Sequence, residues 1–114
     1  MDKNQPIQQL YPAPAPLTSG QRAYLRRLAA DMSAIMQIGK SGLTDTLTAT
    51  VSDALEAREL IKLSVLENAD CTPREAADTL AQALNATVVA VIGRKVILFR
   101  RPLNQKNRRI QLPQ

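Results

Sequence analysis

Residues 34–45, Ala-Ile-Met-Gln-Ile-Gly-Lys-Ser-Gly-Leu-Thr-Asp, constrain the fold more than any other stretch of the chain. An apolar run reads as a strand, Gly39-Lys40-Ser41-Gly42 ends it, and an amphipathic helical pattern begins at once. A strand, a helix and a second strand in this order form a crossover unit, which puts the two strands parallel. The same residues carry chemistry. Two glycines around a Lys-Ser pair let bare backbone amides approach an anion. The helix start adds unpaired N–H groups and the positive end of its dipole, and Lys40 adds a mobile ammonium. Such an arrangement suits a phosphodiester backbone. A lone G-x-x-G is nevertheless a weak motif, because strand-to-helix turns use glycine for geometry alone. The loop is too short for the phosphate-binding G-x-x-x-x-G-K-[ST] pattern, and G-x-G-x-x-G is absent.

Around this unit the remaining elements follow from capping and periodicity. Thr18-Ser19-Gly20-Gln21 has the spacing of a capping box, and Tyr24, Leu25, Leu28 and Met32 then share one helical face, with Arg22, Arg26 and Arg27 on the other. Residues 33–38 read as the first strand, and 44–58 as a helix with Leu47, Val51, Ala54 and Leu55 inward. Residues 60–66 alternate as a second strand, Ile61, Leu63 and Val65 one way and Lys62 and Ser64 the other. Thr72-Pro73-Arg74-Glu75 starts a helix that ends near Asn85. Residues 87–92 and 96–100 are β-branched runs separated by Gly93-Arg94-Lys95, a hairpin in which Gly93 is free to take positive φ. The expected fold class is α+β: an α-β-α-β-α-β-β order with a four-stranded mixed sheet packed by helices.

A chain of 114 residues accommodates one domain. Histidine is absent and Cys71 is the single cysteine, which removes the commonest general base, the commonest transition-metal ligands and any internal disulfide. Catalysis is therefore disfavoured, and neither metal nor cofactor is expected. No apolar run approaches the roughly 18 residues that span a bilayer, and residues 1–5 lack the features of a signal peptide. A cytoplasmic protein without membrane or small-molecule partner is expected. Four of the seven prolines fall in residues 1–16, which reads as a flexible arm. Residues 102–114 read as a loosely held basic polar tail.

The net charge of +5 is unevenly placed. Residues 41–93 sum to −5, whereas Arg94, Lys95, Arg100, Arg101, Lys106, Arg108 and Arg109 form an acid-free block of +7. The hairpin tip Arg94-Lys95 and the strand end Arg100-Arg101 are thus a second candidate site for a polyanion. Solvated surface charge is the plain alternative. Tyr11, Tyr24 and Phe99 are the only aromatics, too few for a base-stacking sheet, so recognition would rest on backbone charge and shape.

Four ordered blocks carry a resemblance. Leu17-Thr18-Ser19-Gly20-Gln21-Arg22-Ala23-Tyr24-Leu25-Arg26, Gln37-Ile38-Gly39-Lys40-Ser41-Gly42-Leu43-Thr44, Glu59-Leu60-Ile61-Lys62-Leu63 and Val91-Ile92-Gly93-Arg94-Lys95-Val96-Ile97-Leu98-Phe99-Arg100 resemble, in order and spacing, the CRM domain in its stand-alone bacterial YhbY form. The match runs over roughly residues 17–101. The resemblance implies an RNA-binding module with a fold similar to the C-terminal domain of translation initiation factor 3. It further implies association with ribosomal RNA in large-subunit (pre-50S) assembly. Gly39, Lys40, Ser41 and Gly42 would contact RNA, with Arg22, Arg26, Arg94 and Lys95 beside them. A monomeric, non-catalytic RNA-binding protein is the resulting expectation. A small basic DNA-binding architectural protein and a protein-interaction module are the alternatives.

Overall fold

Threonine sets three helix starts. The computed structural model describes residues 6–114. In it the Oγ1 atoms of Thr18, Thr44 and Thr72 accept from the amides of Gln21, Leu47 and Glu75 at 3.1, 3.0 and 3.1 Å. They open helices α2 (Ser19–Ala30), α3 (Asp45–Arg58) and α4 (Pro73–Leu84). At α2 and α4 the Gln21 and Glu75 side chains return the bond to the cap amide, completing capping boxes. Each such cap contributes about 1 kcal/mol. A short α1 (Ile7–Leu10) precedes them, and a 3₁₀ turn (Gln105–Asn107) follows the last strand.

Strands β1 (Met36–Ile38), β2 (Leu60–Val65), β3 (Thr87–Ile92) and β4 (Lys95–Phe99) form one sheet in the order β1-β2-β4-β3. β1 pairs parallel to β2, as the crossover requires, and the other two pairings are antiparallel. The fold class is therefore the expected mixed α+β. Strand alternation sends Ile61, Leu63, Val65, Val96 and Leu98 to one face, against Val51 and Leu55 of α3 and Ala76, Ala77, Leu80 and Leu84 of α4. Leu60, Ile97, Phe99 and Val89 face the other way, against Leu25 and Ala29 of α2.

Several elements differ in detail from the sequence reading. β1 is three residues long; Ile35 makes one further bond, to the Lys62 carbonyl at 2.9 Å, but the strand lies at the sheet edge. On α2 the buried stripe is Leu25 and Ala29, and Leu28 is 39% exposed. Ala29 lies one helical turn after Leu25 on the sheet-facing line, and Leu28 falls beside it. The hairpin turn has two residues rather than three, because Ile92 pairs with Lys95. Gly93 takes φ +58°, in the left-handed region that a tight hairpin of this length requires at that position.

The two terminal segments pack on the body. Of the arm read as flexible, residues 1–5 lie outside the described residues. In the remainder, Asn85 Nδ2 donates to the carbonyls of Gln8 and Tyr11 at 2.9 and 3.0 Å. The Tyr11 hydroxyl donates to Glu56 at 2.8 Å, and its ring lies 3.5 Å from the Arg100 guanidinium carbon. In the tail, the amides of Arg109 and Ile110 both donate to Glu59 Oε1 at 2.9 Å, and Arg101 bonds its Oε2 at 2.6 Å. Ile110 and Leu112 join the α2-side core. Proline content predicts no hydrogen-bonded element within the arm; Ile7–Leu10 nevertheless forms α1 in the gap between Pro6 and Pro12, and side chains 45–77 residues away hold the segment from outside.

Candidate nucleic-acid interface

The Gly39–Gly42 segment is a β-turn at the C-terminal end of edge strand β1. Gly42 N–H donates to the Gly39 carbonyl at 2.9 Å, leaving Lys40 and Ser41 as exposed central residues. Gly42 has φ +71°. Its amide is thus committed to closing the turn, whereas those of Lys40 and Ser41 take no backbone partner among the described residues. Of the four loop amides one closes the turn, which leaves those of Lys40 and Ser41 at its apex, the Gly39 amide before them and the Lys40 ammonium as donors the turn can offer. Thr44 then caps α3, whose positive dipole end lies directly behind the turn.

Leu66 joins this turn to the hairpin tip. Its amide donates to the Ile38 carbonyl at 2.9 Å, and its Cδ1 would lie 3.6 Å from a Cβ on Gly39. Arg94 Nη2 donates to the Leu66 carbonyl at 2.8 Å, and Arg94 Nε to that of Val65 at 2.6 Å. Loop and hairpin tip therefore share one end of the sheet. β1 and β4 are two strand spacings apart there, about 10 Å.

The basic residues divide by what they already hold. Arg94 braces β2 as just described. Arg22 Nη1 donates to the carbonyls of Val88 and Val89 at 2.6 and 2.8 Å, where β3 bulges against β4. A bulge leaves ladder carbonyls short of partners, and Arg22 supplies one. Arg26 and Lys95, in contrast, line a groove of about 510 Å³ between α2 and the sheet. Arg27 and Lys62 line it with them, above a floor that includes Ile92 and Ile97. Lys62 Nζ reaches the Ala30 carbonyl at 3.4 Å, and Lys95 Nζ reaches Ser64 Oγ at 3.2 Å. Among the described residues the two ion pairs are Arg74–Asp78 and Arg101–Glu59, so no groove cation and no loop cation is held in an ion pair.

Register links groove and loop. Gln37 pairs with Ser64, Ser64 with Lys95, and Lys95 with Ile92, a row across one sheet face that ends two residues before Gly39. The strand end Arg100-Arg101 does not join it. It lies about 17 Å along β4 from Lys95. Arg100 is 4% exposed and bonds Ser52 and the Leu84 carbonyl, with its Nε unpartnered. This half of the second candidate site is interior to the fold.

Arg27 and Lys62 were not singled out from the sequence, yet a signal existed for Lys62. Alternation in β2 sets it opposite Ile61 and Leu63, hence on the α2 side of the sheet. Among the described residues no cluster of three or more potential metal ligands occurs, and no helix is long and apolar enough to cross a membrane.

Comparison with known proteins bears on this surface. The profile of the CRS1 / YhbY (CRM) domain matches residues 17–100. The chain is 36% identical over 97 residues to a Bacillus subtilis protein named Probable RNA-binding protein YqeI, covering 85% of this chain and 99% of that one. It is 29% identical over 97 residues to a Haemophilus influenzae protein named RNA-binding protein, covering 85% and 95% respectively. A solution structure of a hypothetical Staphylococcus aureus protein, described as a candidate RNA binding protein, superposes with a TM-score of 0.71 at 40% identity. That superposition covers 86% of this chain and all of the other.

Proposed function

Because the chain belongs to the CRS1 / YhbY (CRM) domain family, we propose that it is a non-catalytic, monomeric RNA-binding protein of the cytoplasm that associates with ribosomal RNA during large-subunit assembly. Residues 17–101 form the RNA-binding domain, with the arm and tail as its appendages. The Gly39–Gly42 turn holds the RNA backbone through the Lys40 ammonium and the amides of Lys40 and Ser41, with Arg26 and Lys95 extending the contact. Arg22 and Arg94 support it by fixing the β3 bulge and the end of β2. The observation that carries the reading is the exposed turn itself: a lysine at its apex and, among the described residues, two apex amides without backbone partners and no carboxylate paired to its cation.

The test is sedimentation of the native full chain with large-subunit precursors, before and after RNase, alongside Lys40→Glu. Co-sedimentation that RNase abolishes is expected. Lys40→Glu is expected to weaken RNA binding about tenfold, roughly 1.4 kcal/mol, with an unchanged melting temperature. Association that survives RNase would transfer the reading to a protein partner. Neutralising about four phosphates also gives a log K against log salt slope near −3 on single-stranded RNA. A flat salt response would remove the electrostatic grip.

A further inference from the structure

The groove between α2 and the sheet combines two properties that the turn lacks: walls of cations and an apolar floor. Arg26, Arg27, Lys62 and Lys95 supply the walls, and among the described residues no carboxylate is paired to any of them. Ile92 and Ile97 lie in the floor, and Ile92 is 53% exposed. An apolar side chain this open beside four positive charges is a poor fit to water alone and a poor fit to an apolar protein surface. It fits a ligand with anionic links and flat apolar faces.

Resting on the RNA-binding reading above, we infer that this groove is a subsite for an unpaired nucleotide, which makes the protein a reader of single-stranded RNA rather than of uninterrupted duplex. In the interior of a duplex both faces of each base are covered by stacking, so only the two end pairs leave a face that could pack on Ile92. An unpaired nucleotide offers a free face to the isoleucines while its flanking phosphates meet the arginines and lysines. A volume of about 510 Å³ lies within the range of roughly 300–1,000 Å³ over which small-ligand sites fall. The row Gln37, Ser64, Lys95 and Ile92 leads from the turn to the groove across the same sheet face, so one strand of RNA meets both. Contact through aliphatic side chains discriminates little among the four bases, so the selectivity concerns strandedness and not sequence.

The experiment measures affinity of the full chain for a short labelled RNA of mixed sequence and for the blunt duplex made from it, with the variants Ile92→Ser, Arg27→Ala and Lys40→Glu. Ile92 and Arg27 are both exposed, and melting curves verify that their variants are folded. The wild type is expected to bind the single strand about tenfold more tightly than the duplex. Ile92→Ser lowers single-strand affinity about three- to tenfold and leaves duplex affinity unchanged. Arg27→Ala lowers single-strand affinity with it. Equal affinity for the two RNAs, or an Ile92→Ser variant that binds the single strand like wild type, overturns the groove. If Lys40→Glu weakens both RNAs while the groove variants weaken neither, the turn keeps its role and the groove loses its own. If the chain binds neither RNA, both readings fall together.

Discussion

The two ends of the sheet are both rich in arginine and lysine and use them in opposite ways. At the end bearing the Gly39–Gly42 turn and the hairpin, Lys40, Arg26, Arg27 and Lys95 are exposed and no carboxylate among the described residues pairs with them. At the other end, Arg100 is buried under Tyr11, and Arg101 is paired with the fully buried Glu59. Glu56 there binds the arm through Tyr11 and the tail through the amides of Leu103 and Asn104. Burial opposes ionisation of Glu56, but the Asn104 and Leu103 amides and the Tyr11 hydroxyl outweigh it and hold the carboxyl below its usual range. The acid-free block of +7 in the sequence is thus two populations. Its sign says little about binding until the positions of acids distant in the chain are known.

The largest test of this contrast is removal of residues 103–114. It strips two amides from Glu59 and two from Glu56, and should cost about 3 kcal/mol, or roughly 15 °C in melting temperature. RNA affinity, measured where the truncated chain is folded, should change less than twofold. A tenfold loss would place the tail on the RNA side of the comparison. Next is Arg94→Gln, which probes a residue at the binding end that is already occupied. Calorimetry should show a loss of about 1.5 kcal/mol, with less effect on RNA than Lys40→Glu. The reverse result, weak binding with intact stability, would return Arg94 to the solvent-facing set.

Within the turn, Gly42→Ala should destabilise by about 1 kcal/mol because φ is +71° there. Gly39→Ala should stay within about 0.5 kcal/mol, since its Cβ would meet only Leu66 at ordinary contact distance. Equal costs at the two glycines would contradict the turn geometry. The smallest effect is at Tyr11. Burial first, and then its bond to Glu56, push its phenol up to about 12 from 10.0. A raised folded value means its contribution is intact below the ordinary value and fades as pH climbs through about 12. Tyrosinate absorbance should show a late-ionising phenol that is missing from Tyr11→Phe, at a stability cost under about 1 kcal/mol. For Glu56 the sign reverses: its contribution is complete above the ordinary carboxylate range and is lost as pH falls through its lowered value.

Much of the fold was legible locally. The capping boxes at Thr18 and Thr72, the alternation in β2 and the glycine of the hairpin each involve residues within a few positions of one another. What escaped was non-local. Nothing near Tyr11 announces that Asn85, Glu56 and Arg100 will hold it, and nothing near Arg109 announces Glu59. The choice of Ala29 over Leu28 for the α2 contact depends on how the helix is rotated over the sheet, which hydrophobicity alone does not encode. At the candidate site the turn could be placed from its glycines. The separation of bracing from exposed arginines could not, because it depends on carbonyls freed by a bulge in β3 and on the end of β2.

Glu59 has a consequence for how the end of the chain docks. Its carboxylate is fully buried in the folded chain, and its hydrogen-bond donors are contributed by residues 101, 109 and 110. A chain folded only through the end of β4 would hold that carboxylate without any of these donors. The segment from 101 to 110 is thus a fastener: its docking is coupled to closure of the junction between α3 and β2, where Glu59 sits.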